Sequence, residues 1–515
     1  MNNAPAIFRS LIVYALCVPL AITVGYLLTN PLDYSTAAIY GVLGLLLILP
    51  ILLRWHYPLM LLCFNMSIVV FFLKGRPNFG MVVMALSLVI SILERILSSE
   101  RSFIRVPRVT WPLICLTIVV VFTAKLTGGF GFRALGSEVY GGKKYLYVLM
   151  GILTYFAFTA QRISPQNARL YASLYLLGGV TNLVGDLAPI IPSGFKFIFL
   201  IFPPSIYRGD TFEMGVTRLG GVSAAASAIY CWLLAMYGLR GVLFGGKSWR
   251  LVLFALAFVL SFLGGFRVVL FGNIFTFGML FLLEKLYRTR LLMVFVLAGT
   301  LGAVAVVPLA RHLPFTFQRA LTFLPLPLDL DSDARLSADA SANWRFEMWK
   351  ALLPQIPPHL LLGKGYAISM EDFQMMGGAV AFHSVDITQE GLALSGDYHS
   401  GPLSVIIPFG IWGVVAFLWL LTGSTWVMYC NYRYGDESLR TINTFLWVSC
   451  LLFIIRFLFI FGGLNGDLMA LAGMVGFSIA LNGGVRQPAP QPVQAQPTMV
   501  YPAKTLPHPR PVFHH

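Results

Sequence analysis

In this 515-residue chain 57% of the residues are hydrophobic and only 11% are charged, whereas a soluble globular chain carries about 25% charged residues. Something other than water solvates it. Apolar runs recur at about 17–25 residues, the length a helix needs to cross about 30 Å of hydrocarbon, and they are continuous, not alternating, which argues against a strand barrel. The formal net charge of +15 is divided among short clusters between these runs, a pattern of lipid topology and not of nucleic-acid binding.

The expected class is therefore all-α, a polytopic transmembrane bundle of about 12–14 spans. Arg9 followed by an apolar run, with no small-x-small cleavage pattern, reads as an uncleaved first span at 8–28. Short spans are expected at 36–53 and 57–73, then at 79–98, 111–126, 143–160 and 166–184. The stretch "YGGKKYLYVL" opens the span at 143 with Lys143 and Lys144, which suit either a phosphate or an interfacial anchor. A span at 217–239 starts with "TRLGG", where Arg218 is followed by small residues that let helices approach closely around its charge, or else snorkels to the interface. The pair at 249–265 and 267–285 is interrupted by "GGFR"; Arg267 has no nearby sequence partner, and a guanidinium at that depth is costly enough to point to function. A span at 290–310 closes this N-terminal bundle, residues 1–310.

Residues 311–401 form the one large hydrophilic insertion, and insertions this long are usually functional. It contains "DLDSD", whose Asp329, Asp331 and Asp333 have a spacing that suits a divalent metal or a solvated loop equally well in kind, the loop reading being favoured. Next come "NWRFEMWKALL" with Arg345, and "LGKGYA", whose Gly363 and Gly365 permit tight turns but follow no strand and so form no nucleotide loop. The insertion ends in "GDYHSGPLSVIIPFGIWG": Asp397, Tyr398 and His399 sit at the mouth of an apolar span, where a carboxylate can orient an imidazole as a proton acceptor. Spans at 402–429, 440–461 and 463–482 make up the C-terminal helices of 402–482, and 483–515 is a proline-rich tail expected to be disordered. The six cysteines lie in or beside apolar spans and read as packing residues. Basic residues between spans, such as Arg95, Arg105 and Arg108 or Lys285, Arg288 and Arg290, favour a cytoplasmic N-terminus, so that 311–401 faces outward.

Taken together, "RLGG", "GGFR", the arginine of "WRFEMW", "LLGKGY" and "YHSGPLSVIIPFGIWG" resemble the O-antigen ligase and O-antigen polymerase superfamily of bacterial inner membranes over most of residues 110–460. Two departures stand out: Ser400 follows the histidine where asparagine is usual, and "GGFR" replaces Ser-Arg-Gly. The resemblance implies a periplasmic loop at 311–401 and transfer of a glycan from an undecaprenyl pyrophosphate carrier to an acceptor hydroxyl, either lipid A–core or another glycan. It implies membrane lipids as surroundings, no nucleic-acid partner, and neither cofactor nor metal. His399 is then the expected base with Asp397 as its orienter. Arg218 and Arg267 are expected on the pyrophosphate, and Arg345, Lys143, Lys144 and Tyr398 as further substrate contacts. Repeat-unit polymerase and flippase of the same lipid-linked glycan remain competing readings.

Overall fold

The computed structural model describes residues 17–19, 21–22, 25, 34–73, 75–97, 103–132, 139–204, 206–208, 217–322, 324, 326–370, 396 and 398–488. Most of the expected span at 8–28, Asp397, and the tail from 489 onward lie outside these residues. The described elements are α1 (Tyr34–Phe64), α2 (Phe79–Leu97), α3 (Pro107–Leu126), α4 (Gly142–Phe158), α5 (Ala168–Leu177), α6 (Ile198–Ile201), β1 (Ile206–Arg208) and β2 (Thr217–Leu219). They continue with α7 (Gly220–Phe244), α8 (Ser248–Leu260), α9 (Arg267–Leu283), α10 (Leu291–Leu309), α11 (Phe315–Leu321), α12 (Ser332–Leu352), α13 (Ile356–His359), α14 (Gly401–Tyr434), α15 (Arg440–Ile455) and α16 (Leu464–Asn482). Among the described residues seven helices are long and apolar enough to cross a membrane, and α8 and α9 are shorter apolar helices. The protein is an all-α polytopic membrane protein.

Helices cross because a membrane interior leaves backbone polar groups no water to bond, and a helix satisfies them within the segment. Small residues then let the helices approach. A Cβ on Gly151 of α4 would stand 3.0 Å from the Met469 nitrogen of α16, and one on Gly476 would stand 2.7 Å from Phe158, so bare backbone gives the α4–α16 pair its contact.

Several boundaries differ from the expected ones, each for a physical reason. The spans expected at 36–53 and 57–73 include one continuous helix, α1, whose internal Pro50 and Pro58 do not end it. The expected span at 166–184 is α5 followed by a 3-10 segment, Gly178–Leu187, in which Gly178 packs against the Leu62 carbonyl with no room for a side chain. The expected span at 402–429 is broken at Gly410 (φ 61°), behind Pro408, which lacks the N–H that would continue the ladder. The freed carbonyls of Ile407 and Pro408 accept from the Lys364 and Gly365 nitrogens (2.8 and 2.9 Å), and the Ile411 nitrogen donates to Leu360 (2.7 Å). The loop "LGKG" therefore completes the broken helix. In "DLDSD", the Asp331 side chain caps α12 by accepting from the Asp333 nitrogen at 3.0 Å, and Asp329 lies 3.7 Å from Arg311 at the surface.

Candidate active site

Two helix breaks create the site. The "GGFR" interruption becomes a 3-10 turn, Ser261–Gly264, followed by Gly265 at φ 66°, and α9 starts at Arg267. Strand β2, which carries Arg218, packs on that turn, as does α11. Helix α12 is tied to α9 by the Arg267 guanidinium, which donates from Nη2 to the Ala338 carbonyl at 3.0 Å. This arrangement brings Arg319 into the field of Arg218, Arg267 and Arg345, and Arg345 into that of Arg267. Burial pushes the Arg319 guanidinium down to about 10, with further depression by the positive charges of Arg218, Arg267 and Arg345. Burial also lowers Arg345, helped by Arg267, and burial alone lowers Arg218.

Arg319 is only 8% exposed, and its Nε is buried without a hydrogen-bond partner among the described residues. None of the four arginines forms a salt bridge there. Guanidiniums gathered with no salt-bridge partner among the described residues are unfavourable on their own account, and the arrangement suits a multiply charged anion held through paired N–H forks. Helix α9 also turns its positive N-terminal end toward this region, because Arg267 is its first residue.

His399 adjoins the cluster through α12. Trp344 meets the imidazole edge-on with ring centroids 5.5 Å apart, and Phe461 stacks on it at 5.1 Å and 30°. The neighbouring Arg345 guanidinium lies 5.6 Å from the centre of that same Phe461 ring. The His399 backbone has φ 47°, a left-handed conformation that costs a non-glycine residue energy and persists where the surroundings impose it. Those surroundings are Tyr398 on one side and the capping Ser400 on the other. Tyr398 is buried with Met348, Leu352, Leu403 and Ile407, and its carbonyl accepts from Trp349 Nε1 at 3.0 Å. Ser400 opens α14 by accepting from the Leu403 nitrogen.

Of the expected site residues, Arg218, Arg267 and Arg345 thus share Arg319 as a neighbour, and Arg345 shares the Phe461 ring with His399. The Tyr398 ring is packed into the protein, which gives it the geometry of an anchor, and burial raises its phenol. Lys144 reaches the loop end, 5.7 Å from the Tyr366 ring and close to Gly396. Lys143 lies on the exposed side of α4, over Tyr147 at 5.8 Å, and is not drawn into the cluster. Sequence reasoning passed over Arg319, although a basic residue within "FTFQRALTFLP" is a usable signal. It passed over Trp344 and Phe461 as well.

The family model described as O-Antigen ligase matches residues 251–418. This stretch is similar to the O-antigen ligase family. No curated protein matches the chain. The ligase segment contains Arg267, Arg319, Arg345 and His399, while Arg218 precedes it and Phe461 follows it. Its members are glycosyltransferase-like membrane enzymes that act on lipid-linked glycans, which fits an anion-receiving cluster at one end of a helical bundle.

Proposed function

We propose that the protein transfers a glycan from undecaprenyl pyrophosphate to an acceptor hydroxyl on the outer face of a bacterial inner membrane, as an O-antigen ligase. The observation that carries this reading is that Arg319 lies in the field of Arg218, Arg267 and Arg345, none of them in a salt bridge among the described residues, with Arg345 and His399 on one ring. The bond to be broken joins the anomeric carbon of the sugar to a phosphate oxygen. In the proposed step, His399 takes the proton of the acceptor hydroxyl as its oxygen attacks the anomeric carbon. The carbon–oxygen bond to the pyrophosphate breaks, and the departing pyrophosphate stays on the lipid with one further negative charge. Arg218, Arg267, Arg319 and Arg345 meet that charge as it develops, where fixed positive groups accelerate most. Charge compensation is assigned to guanidiniums, without metal or nucleotide; Asp397 serves as orienter and Lys144 as a further contact for the donor.

The test is deletion of the gene in its host, followed by mass spectrometry of the lipid-linked glycans. Finished polymer stranded on its carrier and missing from the surface supports the ligase. Single repeat units stranded on the outer face identify a polymerase, and units stranded on the cytoplasmic face a transporter. Complementation by His399→Ala is expected to fall at least about a hundredfold below wild type; equal rescue removes His399 as the base.

A further inference from the structure

The ligase segment ends at residue 418, yet the imidazole and one guanidinium of the site lean on a ring 43 positions beyond it (461 − 418). Phe461 follows a π-helical turn, Arg456–Ile460, closed by its own nitrogen donating to the Arg456 carbonyl at 2.8 Å. Such turns insert one residue and redirect the chain, often at functional sites. Past the turn, "GGLNGD" folds back. The Asp467 carboxylate pairs with the Arg456 guanidinium and accepts from the Gly463 nitrogen at 2.8 Å.

The same segment is pressed onto the start of α14. A Cβ on Gly401 would stand 2.1 Å from the Phe457 carbonyl, and one on Gly462 would stand 3.2 Å from the Gly401 Cα. Ser404 Oγ accepts from the Leu464 nitrogen at 2.9 Å. The ends of α14 and α16 nearest His399 are therefore joined without side-chain padding, which fixes the height of Phe461 against residue 399.

We infer that Phe461 is a positioning residue for the proposed transfer: its ring is a shared plate against which His399 and Arg345 are set, held by the Arg456–Asp467 pair and the Gly462–Gly463 fold. The ring gives the imidazole a flat face besides the edge contact of Trp344 and keeps two groups that carry or acquire positive charge at fixed separation. The π face also favours the imidazolium formed when His399 accepts a proton. The activity arm of the test rests on the transferase reading; the geometric arm does not.

The experiment uses the full chain in membranes of the deletion host, as wild type, Phe461→Leu, Phe461→Tyr, Asp467→Asn and His399→Ala at matched amounts. The geometric arm follows carbethoxylation of His399 by diethyl pyrocarbonate through peptide mass spectrometry, with His56 and His359 as internal references. Phe461→Leu is expected to react several-fold faster at His399 alone, because it removes the stacked ring. In the activity arm, consumption of the host's own lipid-linked glycan is expected to fall about ten- to a hundredfold in Phe461→Leu, the scale of a displaced catalytic group. Phe461→Tyr retains most of it, and Asp467→Asn falls between. Unchanged reactivity of His399 in Phe461→Leu, or Phe461→Tyr as defective as Phe461→Leu, overturns the inference. Faster modification with full activity in both Phe461→Leu and His399→Ala removes His399 as the base and overturns the positioning role, leaving only the ring contact. No consumption of the glycan by wild type discards the transferase reading and leaves the geometric arm to decide the contact.

Discussion

Arg319 is a buried cation that lies in the field of three further cations. Such a residue lowers stability, through desolvation and like-charge repulsion, unless an anion joins it. Arg319→Gln is accordingly expected to raise the thermal midpoint of the purified protein while transfer falls about a hundredfold, as when one donor to a developing charge is lost. Added inorganic pyrophosphate should stabilise the wild type more than the variant. A variant that melts lower, with activity lost only in proportion to folded protein, contradicts an anion site. Arg218, Arg267 and His399 were legible because charged or ionisable groups beside apolar runs are rare enough to stand out. Phe461 was not legible. The chain has 41 phenylalanines, and nothing local separates the one that faces an imidazole from those that face lipid.

The elements that matter are the broken ones. Gly363 and Gly365 have φ 78° and 71°. The Lys364 and Gly365 nitrogens serve the carbonyls that the Pro408–Gly410 break releases, while the Gly363 nitrogen donates to the His359 carbonyl at 2.8 Å. A Cβ on Gly365 would stand 2.1 Å from Thr127 Oγ1, and one on Gly363 2.2 Å from the Pro408 carbonyl. Gly365→Ala is expected to cost about 2 kcal/mol or more, from the strained φ and the lost close approach. Its thermal midpoint should drop and transfer should fall with it; a midpoint equal to wild type refutes the brace. Where the helices break was only partly readable. A continuously apolar run carries no period from which to read a kink, so "GGFR" announced itself by its glycines and charge, whereas "PFG" inside 402–429 did not. The pairing of "LGKG" with α14 joins segments more than forty residues apart, and no local pattern encodes it.

At the scale of the whole molecule, the arginines and His399 gather at one end of the bundle. Lys144, near the start of α4, reaches Gly396 beside that end, and the other end of the same helix leads to Gln161, which bonds His56 at 3.1 Å. The exposed Glu437 and Ser438 and the exposed cations Arg240 and Arg290 belong to loops expected on the cytoplasmic side. Ala340→Cys should therefore react with a membrane-impermeant maleimide in intact spheroplasts, and Ser438→Cys only after the membrane is opened. The reverse pattern inverts the proposed orientation and with it the face on which transfer takes place.

The sequence by itself determined that this chain lives in a membrane as helices, because apolar length and the shortage of charge admit no other solvent. It also marked the charged residues that such a solvent tolerates only for a reason. The tertiary structure alone decided that arginines from β2, α9 and α12 set their field on a fourth from α11, that α12 presents Trp344 to His399, and that a ring from beyond the matched segment takes both His399 and Arg345. Those decisions rest on glycine contacts, freed carbonyls and stacked rings between distant segments, and such forces act through space and leave little trace in local order.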